Sequence, residues 1–441
     1  MSLRLDNATI VTMNAAFEVL EGSVSIRGNR IAAVGAAAAG PHDRVIDVGG
    51  ALVLPGFIQT HVHLCQTLFR GLADDLVLME WLRTRVWPLE AAHDERSLRL
   101  SARLAAAELL AGGTTSVLTM ETVHDTDLVC DEIARSGLRA TIGKCLMDAD
   151  DPEVPARLHE PTATALAEAL ALHARWHGQA NGRLRVALAP RFAVSCTRDL
   201  LESVAAISAR EGLLVHTHAS ESQGEIALVR ERTGLDNVPY LAATGLLSPR
   251  LCAAHCVWVD DTAQSLLAES DVKVMHCPGS NLKLGSGVAP VVEMRRRGIV
   301  VSLGADGAAC NNTLDMFAEM RLAALMQAAR LGPGHLTARD AVWMATRGGA
   351  RTLGLDDAVG SIEPGKLADV IVVGRGRMHQ LPWHDPYSTL VYASRPDDVR
   401  FTVVDGQLRV DDGVLSGVDR AELAWAARDA TLQLLERAQL V

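Results

Sequence analysis

His61 and His63 stand one residue apart in Thr60-His61-Val62-His63. In an extended strand, residues i and i+2 face the same side. Two imidazoles there converge on one point, as a borderline divalent cation requires. A single His-x-His pair carries little, because histidine also packs in protein cores. The pair is not alone. His216-Thr217-His218 is followed by Glu221, His255 lies in Ala254-His255-Cys256, and Asp306 lies in Leu303-Gly304-Ala305-Asp306-Gly307. Each stands where an apolar run meets a loop. Isolated ionisable groups resist burial, so this recurrence points to one shared site. The expected ligands are His61, His63, His218 and Asp306. Three imidazoles and one carboxylate suit Zn²⁺, with Fe²⁺ or Mn²⁺ as alternatives, and leave a position open for water. Ala189-Pro190-Arg191 offers no lysine that could be carboxylated to bridge two metals, so one ion is expected. His216 shares a face with His218 but lies deeper, where it either packs or supports a ligand. His276 is ambiguous.

Elements of a definite kind must hold these residues. Short apolar runs at 56–63, 115–120, 140–146, 184–190, 213–218, 251–257, 272–277 and 299–304 alternate with Ala/Leu-rich helical stretches such as 97–111, 162–177, 198–210 and 262–269. Eight such units predict a closed parallel (β/α)8 TIM barrel, with polar strand ends facing the active site. Continuous apolar strands fit, being buried on both sides. An open doubly wound sheet is the competitor, but no G-x-G-x-x-G follows the first run. Both chain ends read as strands instead. Gly28-Asn29 and Asp405-Gly406 are hairpin turns between apolar runs. The β-rich ends, residues 1–55 with 360–441, are expected to pair into one small sheet domain, with 56–359 as the catalytic barrel.

The chain has 441 residues, 49% hydrophobic and 22% charged, with 42 basic against 53 acidic side chains, a net −11. That balance excludes wholesale disorder and disfavours a nucleic acid polymer as partner. Its eight cysteines form no C-x-x-C pair, so no disulfide frame is expected. The N-terminus lacks a signal-peptide pattern, and no apolar run reaches about 18 residues. A cytoplasmic protein off the membrane, with a small-molecule partner, is expected.

The sequence resembles the amidohydrolase superfamily, within it the aminohydrolases of nitrogen heterocycles. The likeness runs through Leu54-Pro55-Gly56-Phe57-Ile58-Gln59-Thr60-His61-Val62-His63, His216 to Glu221, Ala254-His255-Cys256, His276-Cys277-Pro278, Ser280-Asn281-Leu282-Lys283-Leu284, Leu303 to Gly307, and Ser361 to Asp369. It implies the same metal ligands, a small composite β-sandwich domain built from residues 1–55 and 360–441, and homodimers or higher homo-oligomers. It also implies roles: Glu221 as proton donor to a ring nitrogen, His255 steadying the developing oxyanion, and Asp306 taking a proton. Deamination needs an acid, a base and a polariser, and these are the available groups.

Substrate features point several ways. Gln66 in a His-x-His-x-x-Gln run and Arg191-Phe192 resemble guanine deaminases, where they contact the base. Asp74-Asp75-Leu76, Met79-Glu80-Trp81-Leu82 and Ala308-Ala309-Cys310-Asn311-Asn312 resemble methylthioadenosine/S-adenosylhomocysteine deaminases, where the Glu of that motif accepts from ribose hydroxyls. That branch usually has His where Arg191 stands. Gly71 to Asp75 and Trp87 to His93 recur in s-triazine chlorohydrolases. Phe69, Trp81, Trp87 and Phe192 could stack on a flat ring. The expected activity is metal-dependent deamination of a purine base or nucleoside. The alternatives are amino- or chlorohydrolysis of a triazine or pterin, and amide or cyclic-imide hydrolysis.

Overall fold

Alternating apolar and polar residues at the N-terminus make five strands, β1 (Ser2–Val11), β2 (Val19–Arg27), β3 (Arg30–Gly35), β4 (Arg44–Asp47) and β5 (Leu52–Pro55). The computed structural model describes residues 2–36, 38 and 40–440. The apolar runs that follow are β6 (Phe57–His63), β7 (Thr114–Met120), β8 (Arg139–Leu146), β9 (Leu184–Pro190), β10 (Val215–Ala219), β11 (Leu251–His255), β12 (Lys273–His276), β13 (Val301–Leu303) and β14 (Asp306–Gly307). Near the C-terminus lie β15 (Val370–Val373), β16 (Val399–Val404), β17 (Gln407–Asp411) and β18 (Val414–Leu415).

Strands β6 to β14 form one parallel sheet in the order β13-β12-β11-β10-β9-β8-β7-β6-β14, a TIM-like barrel. All residues of β6, β7 and β8 are buried, so these strands lack the alternation of a half-exposed strand and their polar side chains are enclosed. The eighth strand is split. β13 pairs with β12, then the chain steps across Gly304-Ala305 and β14 pairs with β6, Asp306 opposite Val62. A Cβ on Gly304 would lie 2.5 Å from the His61 carbonyl oxygen, so only glycine permits that approach. This closure delivers Asp306 to the two histidines of β6. The four helices expected from sequence all form, at Glu95–Ala111, Thr162–Trp176, Arg198–Glu211 and Asp261–Glu269. The first starts at Asp94, whose carboxylate accepts from the Ser97 N–H at 2.8 Å, satisfying an N-terminal donor.

The two chain ends share a second sheet, ordered β18-β17-β16-β15-β5-β1-β2-β3, with β4 on β1. Its central seam is β15 against β5, joining residues more than 300 positions apart. Both expected two-residue hairpins occur: Arg27 pairs with Arg30 across Gly28-Asn29, and Val404 with Gln407 across Asp405-Gly406. This sheet is tied to the barrel by Arg139 at the start of β8, bidentate on Asp369 at 2.7 and 3.1 Å. The last segment is not β. Arg420–Arg437 is a helix packed on helix Glu95–Ala111, with Arg96 and Arg437 paired to Asp429 and Asp94. All eight cysteines are buried and free. Among the described residues no helix is long and apolar enough to cross a membrane.

Candidate metal centre and active site

The alternation of β6 puts His61 and His63 side by side, ring centroids 4.9 Å apart. Parallel pairing and barrel closure bring His218 from β10 and Asp306 from β14 to the same point. One ligand atom from each of the four lies within 4.8 Å of the others, and all four residues are buried or nearly so. The far nitrogens of two rings are fixed by carbonyls, His63 Nδ1 on Met120 O at 2.7 Å and His218 Nδ1 on Arg191 O at 2.6 Å. A carbonyl only accepts, so each Nδ1 is the donor and each neutral ring presents an Nε2 lone pair inward. His61 Nδ1 meets His216 Nε2 at 2.6 Å, so His216 braces a ligand, one of the two roles left open above.

Burial pushes the His61 imidazole down to about 4, and burial with neighbouring His61 holds His218 well below the usual range. Asp306 lies well below the usual carboxylate range: burial opposes this, but His61 and the hydrogen bonds outweigh it. Asp306 Oδ1 sits 3.2 Å from the Nε2 of both His61 and His63. Lone pairs thus face a carboxylate at close range, which demands a proton or a cation between them. His61 Nε2 is buried with no hydrogen-bond partner among the described residues. The donor set fits a divalent ion.

The acid–base groups surround this point. His255 Nδ1 is 2.9 Å from Asn281 Oδ1, and its Nε2 is 3.5 Å from Glu221 Oε2 and 3.8 Å from Asp306 Oδ2. Glu221 is 3% exposed, and burial pushes its carboxyl up to about 7. Its backbone N–H donates to Glu225 Oε2 at 2.7 Å, and Ser286 Oγ donates to its Oε1 at 3.4 Å. Ser220, His255, Cys256 and Asp306 all have positive φ, 52°, 70°, 46° and 62°. Such conformations cost about 1–3 kcal/mol each and collect where a site is held by its surroundings.

One cavity is lined by His63, His218, Glu221, His255 and Asp306 together with Gln66, Trp81, Arg191, Phe192, Leu78, Leu82 and Leu284. Four of the six expected substrate contacts, Gln66, Trp81, Arg191 and Phe192, therefore share the cavity with metal-site residues. The other two do not line it. Glu80 is exposed on the short helix Leu78–Trp81. Asn311 donates its amide to Ala305 O and Glu319 Oε1, both at 2.8 Å. Of the four aromatic candidates, Phe69 and Trp87 are core residues instead. Sequence reasoning missed Glu90, 4% exposed, which accepts from Gln66 Nε2 at 2.9 Å and from Arg191 at 2.6 and 3.2 Å. A carboxylate in the apolar run Trp87-Pro88-Leu89-Glu90 was the available signal, because a buried charge needs a partner. It also missed Asn281, Glu225 and Ser286. His276 is buried with both ring nitrogens unpartnered among the described residues and does not line the cavity.

Residues 52–409 match the amidohydrolase family. The chain is 41% identical over 418 residues to the 5'-deoxyadenosine deaminase of Methanothermobacter thermautotrophicus, covering 94% of this chain and 95% of that one. It is 37% identical over 441 residues to the 5-methylthioadenosine/S-adenosylhomocysteine deaminase of Symbiobacterium thermophilum, covering 98% and 99%. The structure is similar to that of an adenosine deaminase from Xanthomonas campestris with bound zinc, with a TM-score of 0.92, 32% identity and coverage of 100% and 99%. With the family's span and this ligand set in agreement, the chain belongs to the amidohydrolase family.

Proposed function

We propose that the protein is a metal-dependent aminohydrolase that removes the exocyclic amine of an adenosine-type purine nucleoside as ammonia. The observation that carries this is the placement of Glu221, its carboxyl near 7, in the same cavity as the four-ligand cluster. A carboxyl at that value is protonated in part of the molecules at neutral pH and can act as a general acid. Relatives named for 5'-deoxyadenosine and 5-methylthioadenosine at 41% and 37% identity support the nucleoside class.

His61, His63, His218 and Asp306 would hold one divalent ion per chain, Zn²⁺ by their N/O donors, which would supply water acidified toward neutral pH. The protein residues do the rest. Glu221 delivers a proton to the ring nitrogen beside the amine-bearing carbon, making that carbon more electrophilic. Asp306, kept ionised, accepts the proton that the adding water gives up and returns it to the departing amine. The carbon–nitrogen bond breaks, ammonia leaves, and the remaining hydroxyl proton passes to the ionised Glu221, which regenerates the acid and leaves a ring carbonyl. His255, with Nδ1–H donated to Asn281 Oδ1, offers an Nε2–H to the developing oxyanion in its doubly protonated form. Phe192, Trp81, Leu82 and Leu284 enclose a flat ring and exclude water, while Arg191 and Gln66 supply polar contacts to it. Glu80, at the outer end of the helix that carries Trp81, is proposed to reach the ribose. Residues 1–55 and 360–441, expected as a β-sandwich but joined through one sheet and closed by the helix Arg420–Arg437, are proposed to act as one composite domain that braces the barrel 56–359.

The test is ammonia release from 5'-deoxyadenosine, methylthioadenosine, S-adenosylhomocysteine, adenosine and guanine. Turnover of the adenosine-type compounds above guanine is expected. Preference for guanine, or release of a carboxylate from an amide in place of ammonia, overturns the proposal.

A further inference from the structure

Glu90 sits behind the cavity wall, in the helical turn Trp87–Ala91, and does not line the cavity itself. Its carboxylate is nevertheless fully used. Oε2 accepts from Arg191 Nη1 at 2.6 Å, and Oε1 accepts from Arg191 Nη2 at 3.2 Å and Gln66 Nε2 at 2.9 Å. Gln66, Glu90 and Arg191 are 0%, 4% and 4% exposed. Two consequences follow from donor chemistry. A carboxylate only accepts, so the Gln66 amide must turn its nitrogen toward Glu90. Its Oε1 is then fixed on the other side, beside Gly307, where a Cβ would lie 2.1 Å from it. That oxygen has no partner among the described residues. Second, the fork-to-fork pair cancels the charge of Arg191, which itself lines the cavity. The Arg191 carbonyl meanwhile accepts from both the backbone N–H and Nδ1 of the ligand His218, at 3.0 and 2.6 Å. The wall is therefore anchored to the metal centre.

We infer that Glu90 is a positioning residue that sets substrate charge: it turns Gln66 and Arg191 into one electrically neutral wall that admits a neutral heterocycle and rejects an anionic one. An unpaired buried guanidinium would do the reverse, since a buried charge seeks an opposite charge. The inference deepens the deaminase reading, yet its test needs only ring binding, so the two can fail separately.

The experiment is calorimetric binding of hypoxanthine and xanthine to the zinc-loaded protein above neutral pH, where the second ring is anionic and the first is largely neutral. Wild type should favour hypoxanthine. Glu90→Gln keeps the shape and removes the charge, and should move the affinity ratio at least about tenfold toward xanthine. Metal content should be unchanged and the loss for neutral substrates should fall on KM more than on kcat. Glu90→Gln combined with Arg191→Gln should restore the wild-type ratio, because the pair is then neutral again. If Glu90→Gln does not fold, Arg191→Gln alone leaves Glu90 uncompensated and must move the ratio further from xanthine. An unchanged ratio in a folded, metal-loaded single variant overturns the inference, as does binding of neither ring to the wild type. Absence of ammonia release from nucleosides with the ratio shift intact overturns the deaminase reading alone.

Discussion

Glu221→Gln separates the catalytic role of this residue from its structural cost. Burial raises the Glu221 carboxyl from 4.5 to about 7. A carboxyl whose folded value exceeds its unfolded value contributes full stability below about 4.5, and that contribution is lost as pH rises through about 7. The shift of roughly 2.5 units corresponds to about 3 kcal/mol of penalty above pH 7. Glutamine carries no such penalty and retains the Ser286 contact. In chelator-treated protein, Glu221→Gln should therefore be more stable than wild type by up to about 3 kcal/mol at pH 8 and no more stable at pH 4. With 441 residues and about 2 cal/mol/K of unfolding entropy each, that is a Tm rise of about 3 °C. The zinc-loaded variant should keep its metal, since Glu221 is not a ligand, and lose about 10²- to 10⁴-fold in kcat. Wild-type activity should decline as pH rises through about 7, where the acid loses its proton. A variant with full activity, or one no more stable than wild type at pH 8, refutes the reasoning.

Three further outcomes follow. Gly307→Ala places a methyl against Gln66 Oε1, so KM should rise while metal content holds; an unchanged KM argues against the Gln66 contact. Asp369→Ala removes the bidentate partner of Arg139, whose side chain is 6% exposed, and leaves it only Asp405 at 3.6 Å; a loss of up to about 3 kcal/mol should lower Tm while folded protein keeps its kcat, and unfolding curves measure it. His61→Ala removes a ligand, so bound metal measured by elemental analysis should fall together with activity, whereas retained metal contradicts the ligand set.

The metal site was legible because its signals are local. His61 and His63 read directly from strand alternation, and His218 and Asp306 from polar residues ending apolar runs. Glu221 and His255 followed from the same strand ends. What escaped is long-range. Glu90 and Arg191 are 101 positions apart, and nothing near either residue states that they meet. Asn311 lies five residues after Asp306, but the helical turn Ala308–Asn311 carries its amide to Ala305 and Glu319 rather than to the cavity. The eight barrel strands were visible as apolar runs, whereas the break at Gly304-Ala305 is a closure requirement set by the His61 backbone. The C-terminal helix Arg420–Arg437 was lost among hairpin signals because its role is to cover helix Glu95–Ala111 rather than to extend the sheet.

The central claim is that metal-dependent deamination occurs at His61, His63, His218 and Asp306. It is tested most directly by ammonia release from 5'-deoxyadenosine, with bound metal counted in the same samples. About one metal per chain, activity that disappears on chelation, and recovery on adding zinc are the expected results. Undiminished ammonia release from protein stripped of metal would contradict the account.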